Sequence, residues 1–321
     1  MGFWGTTAAA PSWLSTWFLQ KPDYLRVEDP ELPHIPSPYS MSWVGAADAG
    51  AVATLWRDHY EGEDWQFDAD EELVLTYVRD PRSVMLGLKA GDSLVATIAA
   101  VPLGETTMSH GARLRDFYVV EGLVVHREVR GKGIAGWMIA AIDGTMCRFT
   151  GTPFACLWAR EILEIPRFPT FVSCRPYAWF RCDASSERDT VGDSVEESID
   201  EFRALWESTV PTSPHIRALA IDNRRGGLRF FRVGTDYAVV SDTRRRTKRG
   251  THRIYEIVWA SSDEAVMASA ERLTGLLFTT RDMTGRQGWN VGNAGYHAYS
   301  IYNYRPPVYG NCDILAIREE L

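Results

Sequence analysis

The stretch Glu121–Ile142, "EGLVVHREVRGKGIAGWMIAAI", constrains this chain more than any other. An apolar, β-branched run ("DFYVVEGLVV") ends in a turn where Arg130 and Lys132 alternate with Gly131 and Gly133. A helical pattern then begins, with Ile134, Trp137, Met138, Ala141 and Ile142 on one face. The first turn of a helix leaves backbone N–H groups unpaired and carries partial positive charge. Glycines there let an anion approach the main chain, and the two cations add side-chain donors. The segment Arg130, Gly131, Lys132, Gly133, Ile134 and Ala135 therefore reads as a pyrophosphate cradle. A plain glycine-rich turn is the competing reading, because neither the Walker spacing nor GxGxxG is present. Gly122, in mid-strand, reads as a β-bulge that frees N–H groups from ladder pairing.

The rest of the chain alternates helices with strands. Helical spacing is found in "ADAGAVATLWRDHY" and in "DADEELVLTYVRD", the latter with Asp70 or Asp68 as N-cap. "SVMLGLKAGDSLVATIAAVPL" reads as a hairpin closed by Gly-Asp. "ACLWA" and "SCRPYAWF" are strand-like, and the polar stretch 183–198 reads as an inter-domain linker. Beyond it, "SIDEFRALWEST" predicts a helix and "LRFFRV", "YAVVSD" and "RIYEIVWA" predict strands. "DEAVMASAERLTGLL" predicts a further helix, and "YHAYSIYNY" and "CDILAI" close the chain. Helix, hairpin, strand and helix recur in both halves, which hints at internal duplication.

Composition removes several classes of function. A net charge of −8 over 321 residues argues against nucleic-acid binding by bulk electrostatics. No apolar run approaches the roughly 18 residues of a membrane span, and the N-terminus lacks the basic flank of a secretory signal. The five cysteines form no CxxC pair and no metal-ligand spacing with histidine, so free thiols in a reducing, cytoplasmic compartment and no metal site are expected.

The spacing R-x-x-G-x-[GA] at a strand-to-helix junction after a hairpin resembles the coenzyme A signature of the GNAT acyltransferases. Arg130, Gly133 and Ala135 occupy its places. Within that superfamily the chain more closely resembles the glycylpeptide N-tetradecanoyltransferase (N-myristoyltransferase) family. "EGLVVHREVRGKGIAG" resembles that family's "NFLCVHKKLRSKR-AP", and "LKAGDSLVATIAAVP" resembles its "GKLVGFISAIPA". "PRFPTFVSCRPY" and "YSIYNYRPPVYG" resemble its "PKPVGTCRYW" and "YYLYNWKCPSMG". The resemblance implies an α/β (α+β) fold of two tandem GNAT-like lobes, each a mixed, mainly antiparallel sheet flanked by helices. Its implied layout is an N-terminal arm (1–40), an acyl-CoA-binding lobe (41–184) and a second, degenerate lobe (185–321) that forms the peptide side.

By the same resemblance the chain transfers a myristoyl group from myristoyl-CoA to the N-terminal glycine amine of peptides or nascent proteins with nearby basic residues. It would act as a monomer, without specific nucleic acid or integral membrane contact. The amides of Gly122 and Leu123 would form the oxyanion hole. The base would be the carboxylate of Leu321, or a side chain such as Glu319 in a slightly longer tail. Phe3, Trp4, Leu123 and Val124 would join the cradle in holding the acyl-CoA. Tyr60, Glu61, Glu63, Asp64, Trp65, Phe67, Tyr177 and Tyr302 would line the peptide groove, the acids attracting substrate lysine. Glu121, and Ala159 at the place of a family hydroxyl, depart from the pattern. They keep two other readings in view: a GNAT acyltransferase for another acyl-CoA or amine, and a non-catalytic lipid- or peptide-binding remnant.

Overall fold

The computed structural model describes residues 23–24, 31–107, 113–151, 155–162, 173–182, 195–197, 217–218, 227–250, 252–302 and 304–305. The first part of the chain holds β1 (Asp23–Tyr24), β2 (Tyr39–Trp43), α1 (Ala49–His59), β3 (Trp65–Phe67) and α2 (Glu71–Arg79). After these come β4 (Val84–Ala90), β5 (Ser93–Thr107), β6 (Arg113–Val125), α3 (Ile134–Thr150), β7 (Ala155–Ile162) and β8 (Ser173–Cys182). The later part holds β9 (Val195–Glu197), β10 (Arg217–Ala218), β11 (Leu228–Val233), β12 (Asp236–Thr247) and β13 (Arg253–Ala260). It ends with α4 (Asp263–Arg272), β14 (Gly275–Thr279), β15 (Asn290–Tyr302) and β16 (Tyr304–Arg305).

One motif occurs twice. β4, β5 and β6 form an antiparallel meander, α3 crosses over, and β7 returns parallel to β6. β11, β12 and β13 form a second meander, α4 crosses over, and β14 returns parallel to β13. The halves then exchange strands: β15 pairs with β7 and β8, while β8 pairs with β14. A continuous sheet results, in the order β2-β4-β5-β6-β7-β15-β8-β14-β13-β12-β11-β9.

Strand periodicity explains the layering. Val84, Leu86, Leu88, Ala96, Ile98 and Ala100 face α3 on one side of the first half. Their alternates Met85, Ala99 and Val101 face α1 and α2 on the other. Both faces are covered, so the hairpin reads as nearly unbroken apolar sequence. α2 starts where Asp70 accepts the Leu73 N–H at 2.8 Å, which selects Asp70 over Asp68 as the cap. In the second half α4 packs Ala265, Val266 and Ala270 against Ala238, Val240 and Leu277.

The predicted helix over "DEAVMASAERLTGLL" is shorter than expected. It stops at Arg272, and "GLL" opens β14. At Gly275 φ is 151°, and a Cβ there would lie 2.3 Å from the Arg253 carbonyl oxygen, an approach only glycine permits. Of the stretch read as a linker, Val195–Glu197 is described, and it pairs with β11. The helix expected at "SIDEFRALWEST" and the strand at "CDILAI" lie outside the described residues. Cys147, Cys156 and Cys182 are buried. Among the described residues no helix is long and apolar enough to cross a membrane.

Candidate active site

The site begins as a fault in the β5–β6 ladder. Thr97 pairs with Val124 and Ala99 with Glu121, so Gly122 and Leu123 together oppose Ile98. This is a β-bulge, with Gly122 at φ 64°, a left-handed conformation suited to glycine. On its other edge, among the described residues, β6 pairs with β7 over Phe117–Val119 alone. Beyond Val119 the two strands part, and β7 continues against β15. Gly122 and Leu123 therefore lie where both ladders are interrupted.

The cradle lies at the start of α3. Gly131 and Gly133 have φ of 78° and 79°, and a Cβ built on either would meet nothing within 4 Å. Gly133 is the N-cap, no side chain caps the helix, and no acidic residue occupies its first turn. The N–H groups there remain open to an anion. Lys132 is exposed beside them.

Arg130 takes a different part from the one expected. Its Nε donates to the Val125 carbonyl at 3.0 Å, and one terminal nitrogen donates to the His59 carbonyl. Arg127 donates to the Asp58 carbonyl at 2.5 Å and, through Nε, to His59 Nδ1 at 3.3 Å. Both arginines thus satisfy carbonyls at the end of α1, which a helix C-terminus leaves unpaired. They clamp α1 to the cradle. His126 caps the short turn Arg127–Val129, accepting the Glu128 N–H. Its ring lies 3.8 Å, centre to centre, from that of His59. Burial, followed by the charges of His126 and Arg127, holds the His59 pKa below the usual imidazole value.

A cavity of about 320 Å³ joins these parts. Its walls are His59, Tyr60, Glu61, Leu123, Val124, Val125, Arg130, Gly131, Gly133, Ile134 and Ala135. The structure thus brings Leu123 of the bulge and most of the cradle to one space. His59 belongs to it without having been picked out from the sequence, where it appears only as a basic residue in the last turn of α1.

The acidic stretch 61–70 faces the basic strand end 243–248. Lys248 Nζ lies 2.8 Å from Glu61, Arg246 2.5 Å from Asp68 and Arg244 3.3 Å from Asp70. β3 pairs with β12 over Trp65–Phe67, and the Arg245 guanidinium lies 4.5 Å from the Trp65 ring centre. The segment "TRRRTKRG", 243–250, is strand as far as Thr247, and its Arg244, Arg246 and Lys248 are paired with acids of the same chain. Glu61, also 3.7 Å from Arg127, is held in its charged form chiefly by the Lys248 hydrogen bond.

Several expected groove residues are placed elsewhere. Phe67 is 1% exposed and packs with Trp56 in the core under α1 and α2, so it cannot form a groove wall. Glu61 is already ion-paired, which leaves Glu63 and Asp64 as the exposed acids of that loop. Tyr177 is buried with its hydroxyl on Glu256 at 3.3 Å, outside the cavity. Tyr302 sits on β15 opposite Cys156, and Ala159 on β7 opposite Tyr299. Phe3, Trp4, Glu319 and Leu321 lie outside the described residues.

This geometry has known counterparts. Residues 50–146 match the family model of the acetyltransferase (GNAT) family, and the fold is GNAT-like. Over nearly its whole length the chain is similar to Saccharomyces cerevisiae N-myristoyltransferase. A structure of that enzyme with bound myristoyl-CoA and inhibitors gives a TM-score of 0.66 at 12% identity, covering 97% of this chain and 93% of that one. A second, with bound myristoyl-CoA, gives 0.66 at 12% identity, covering 94% and 88%. A third gives 0.62 at 12%, covering 94% and 92%. No curated protein sequence matches the chain significantly.

Proposed function

We propose that the protein is an N-acyltransferase that moves a myristoyl group from myristoyl-CoA to the amine of an N-terminal glycine. The observation that carries this reading is the shared cavity, which joins Leu123 of the bulge to the open N-terminus of α3. The coenzyme pyrophosphate would lie on the amides of residues 131–135, with Lys132 as an added cation. The thioester carbonyl would then meet the bulge. Attack by the neutral amine forms the C–N bond and places negative charge on the carbonyl oxygen. The N–H groups of Gly122 and Leu123, residues that the register of both neighbouring strands skips, are the donors we assign to it. Collapse breaks the C–S bond, releasing coenzyme A as thiolate, which takes up a proton. The amine proton passes to a carboxylate, Leu321 or Glu319 by resemblance. A glycine amine has a pKa near 8, so a weak base suffices.

A second reading, transfer to a different amine, gains support from Phe67, which is buried in the core, and from Glu61, which lines the cavity with its carboxylate already paired to Lys248. One experiment separates the two. The protein is incubated with myristoyl-CoA or acetyl-CoA and a glycine-initiated, lysine-containing peptide, and peptide mass and free thiol are followed. Addition of one myristoyl group with equimolar thiol release is expected. Thiol release with other amines but not with this peptide would favour the second reading. Coenzyme binding with no transfer to any amine would refute both.

A further inference from the structure

The bulge is secured by two buried polar side chains from different elements. Trp56 on α1 donates its Nε1–H to Thr97 Oγ1 at 2.8 Å, and the Thr97 hydroxyl donates to the Gly122 carbonyl at 2.9 Å. Trp56 and Thr97 are both 0% exposed. Thr97 is the β5 residue that pairs just beyond the bulge, so its hydroxyl reaches the carbonyl of a residue that the β5 register skips.

The Gly122 carbonyl and the Leu123 N–H belong to one conjugated peptide unit. In a trans unit they point in opposite directions, so pinning the carbonyl towards Thr97 fixes the N–H on the far side. A hydrogen bond accepted at the oxygen also draws charge through the unit and strengthens the N–H as a donor. Chains of such bonds reinforce one another by about 10–30% per bond. Leu123 lines the cavity.

We infer that Trp56 and Thr97 are positioning residues for the Leu123 amide, a two-bond relay that aims and polarises the donor facing the thioester. The inference rests on the acyltransferase reading and deepens it. Neither side chain touches substrate; both act through the peptide unit.

The test uses Thr97→Val, which removes the hydroxyl at nearly constant volume, with Thr97→Ser as the conservative rescue and Trp56→Phe as a second break in the relay. Thr97→Val is expected to lower kcat by about three- to tenfold, less than the 10²–10³ lost when an oxyanion donor is removed outright. KM for acyl-CoA should stay within about twofold, because binding at the cradle does not use this amide. Thr97→Ser should restore kcat. In the protein without substrate, the Leu123 amide nitrogen resonance should move in Thr97→Val and Trp56→Phe and return in Thr97→Ser. An unchanged kcat in folded Thr97→Val, a loss appearing equally in KM, or an unmoved Leu123 signal would each overturn the relay. If Thr97→Val fails to fold, Trp56→Phe decides by the same two readouts. If the wild-type chain transfers no acyl group, the proposed function fails, and the Leu123 resonance alone then decides the relay.

Discussion

Replacing Gly122 with alanine separates the strain of the bulge from its chemistry. At φ 64° an added Cβ introduces left-handed strain of about 1–2 kcal/mol. Flattening the bulge is not an easy escape, because a one-residue slip moves every following side chain to the opposite face. Val124, 2% exposed, packs under α1 and α2, while Leu123 and Val125 pack on the α3 side. Inverting these three would disrupt both cores. The bulge therefore persists under strain, and unfolding should shift by about 1–2 kcal/mol, a fall of about 1.5–3 °C in Tm for a chain of this length. Activity should fall much further. Displacing an oxyanion donor removes about 10²–10³ in kcat, roughly 2.7–4 kcal/mol of transition-state stabilisation. Gly131→Ala supplies the control: its φ of 78° imposes similar strain, but it lies in the cradle, so its loss should appear in KM for acyl-CoA. Thermal melts and steady-state kinetics on both variants suffice. A folded Gly122→Ala enzyme with kcat within about threefold of wild type would refute the assignment of the bulge amides to the oxyanion.

Three more outcomes follow from the same contacts. Arg130→Lys cannot reproduce the bonds to the Val125 and His59 carbonyls, so KM for acyl-CoA should rise by about tenfold as the clamp on α1 loosens; unchanged KM would show that the clamp is dispensable. Lys248→Ala and Glu61→Ala should couple by about 0.2–1 kcal/mol in a double-mutant cycle at low salt and by less at high salt, and strict additivity at low salt would dismiss the pairing. The lowered pKa of His59 means that below about pH 6.5 the unfolded chain takes up a proton the folded chain resists, so stability should fall as pH drops from 6.5 through the folded value; urea melts of His59→Gln showing the wild-type pH slope would contradict this.

What the sequence disclosed depended on whether the signal was local. The glycine turn before α3, the Gly91 hairpin and the Asp70 cap are decided by residues within a few positions of one another, and each was legible. The end of α4 was not, because "GLL" suits helix and strand alike; the Arg253 carbonyl, distant in sequence, decides it. Phe67 and Glu61 look like groove residues beside acidic neighbours, yet their roles follow from Trp56 and Lys248, contacts made only in the folded chain. Thr97 left a faint trace as a lone hydroxyl inside the apolar run "VATIAA". Its partner Trp56, 41 positions earlier, looked only like a core residue.

The repeated motif also bears on how many coenzymes one chain can hold. β13 carries its own bulge: Val239 pairs with Trp259 and Val240 with Ile257, leaving Val258 over. That strand lacks glycine throughout, and α4 begins differently from α3. Ser262 caps α4 by accepting the Ala265 N–H, and Asp263 and Glu264 fill the first turn. Asp263 is further tied to Arg281 at 2.5 Å and to Arg286 at 2.6 Å. Hydrogen bonds from these two arginines, Arg281 foremost, hold its pKa below the usual carboxylate range, so it stays charged at neutral pH. An anionic ligand approaching α4 would meet like charge at a terminus whose dipole the chain already satisfies. At α3 the corresponding place offers two glycines, an exposed lysine and no carboxylate in the first turn. The second motif has kept the crossover and the bulge but filled the anion position with its own side chain. Of the two motifs, only the one beside Gly122 therefore has a helix start left open to an anion, which is where the proposed function places the coenzyme pyrophosphate.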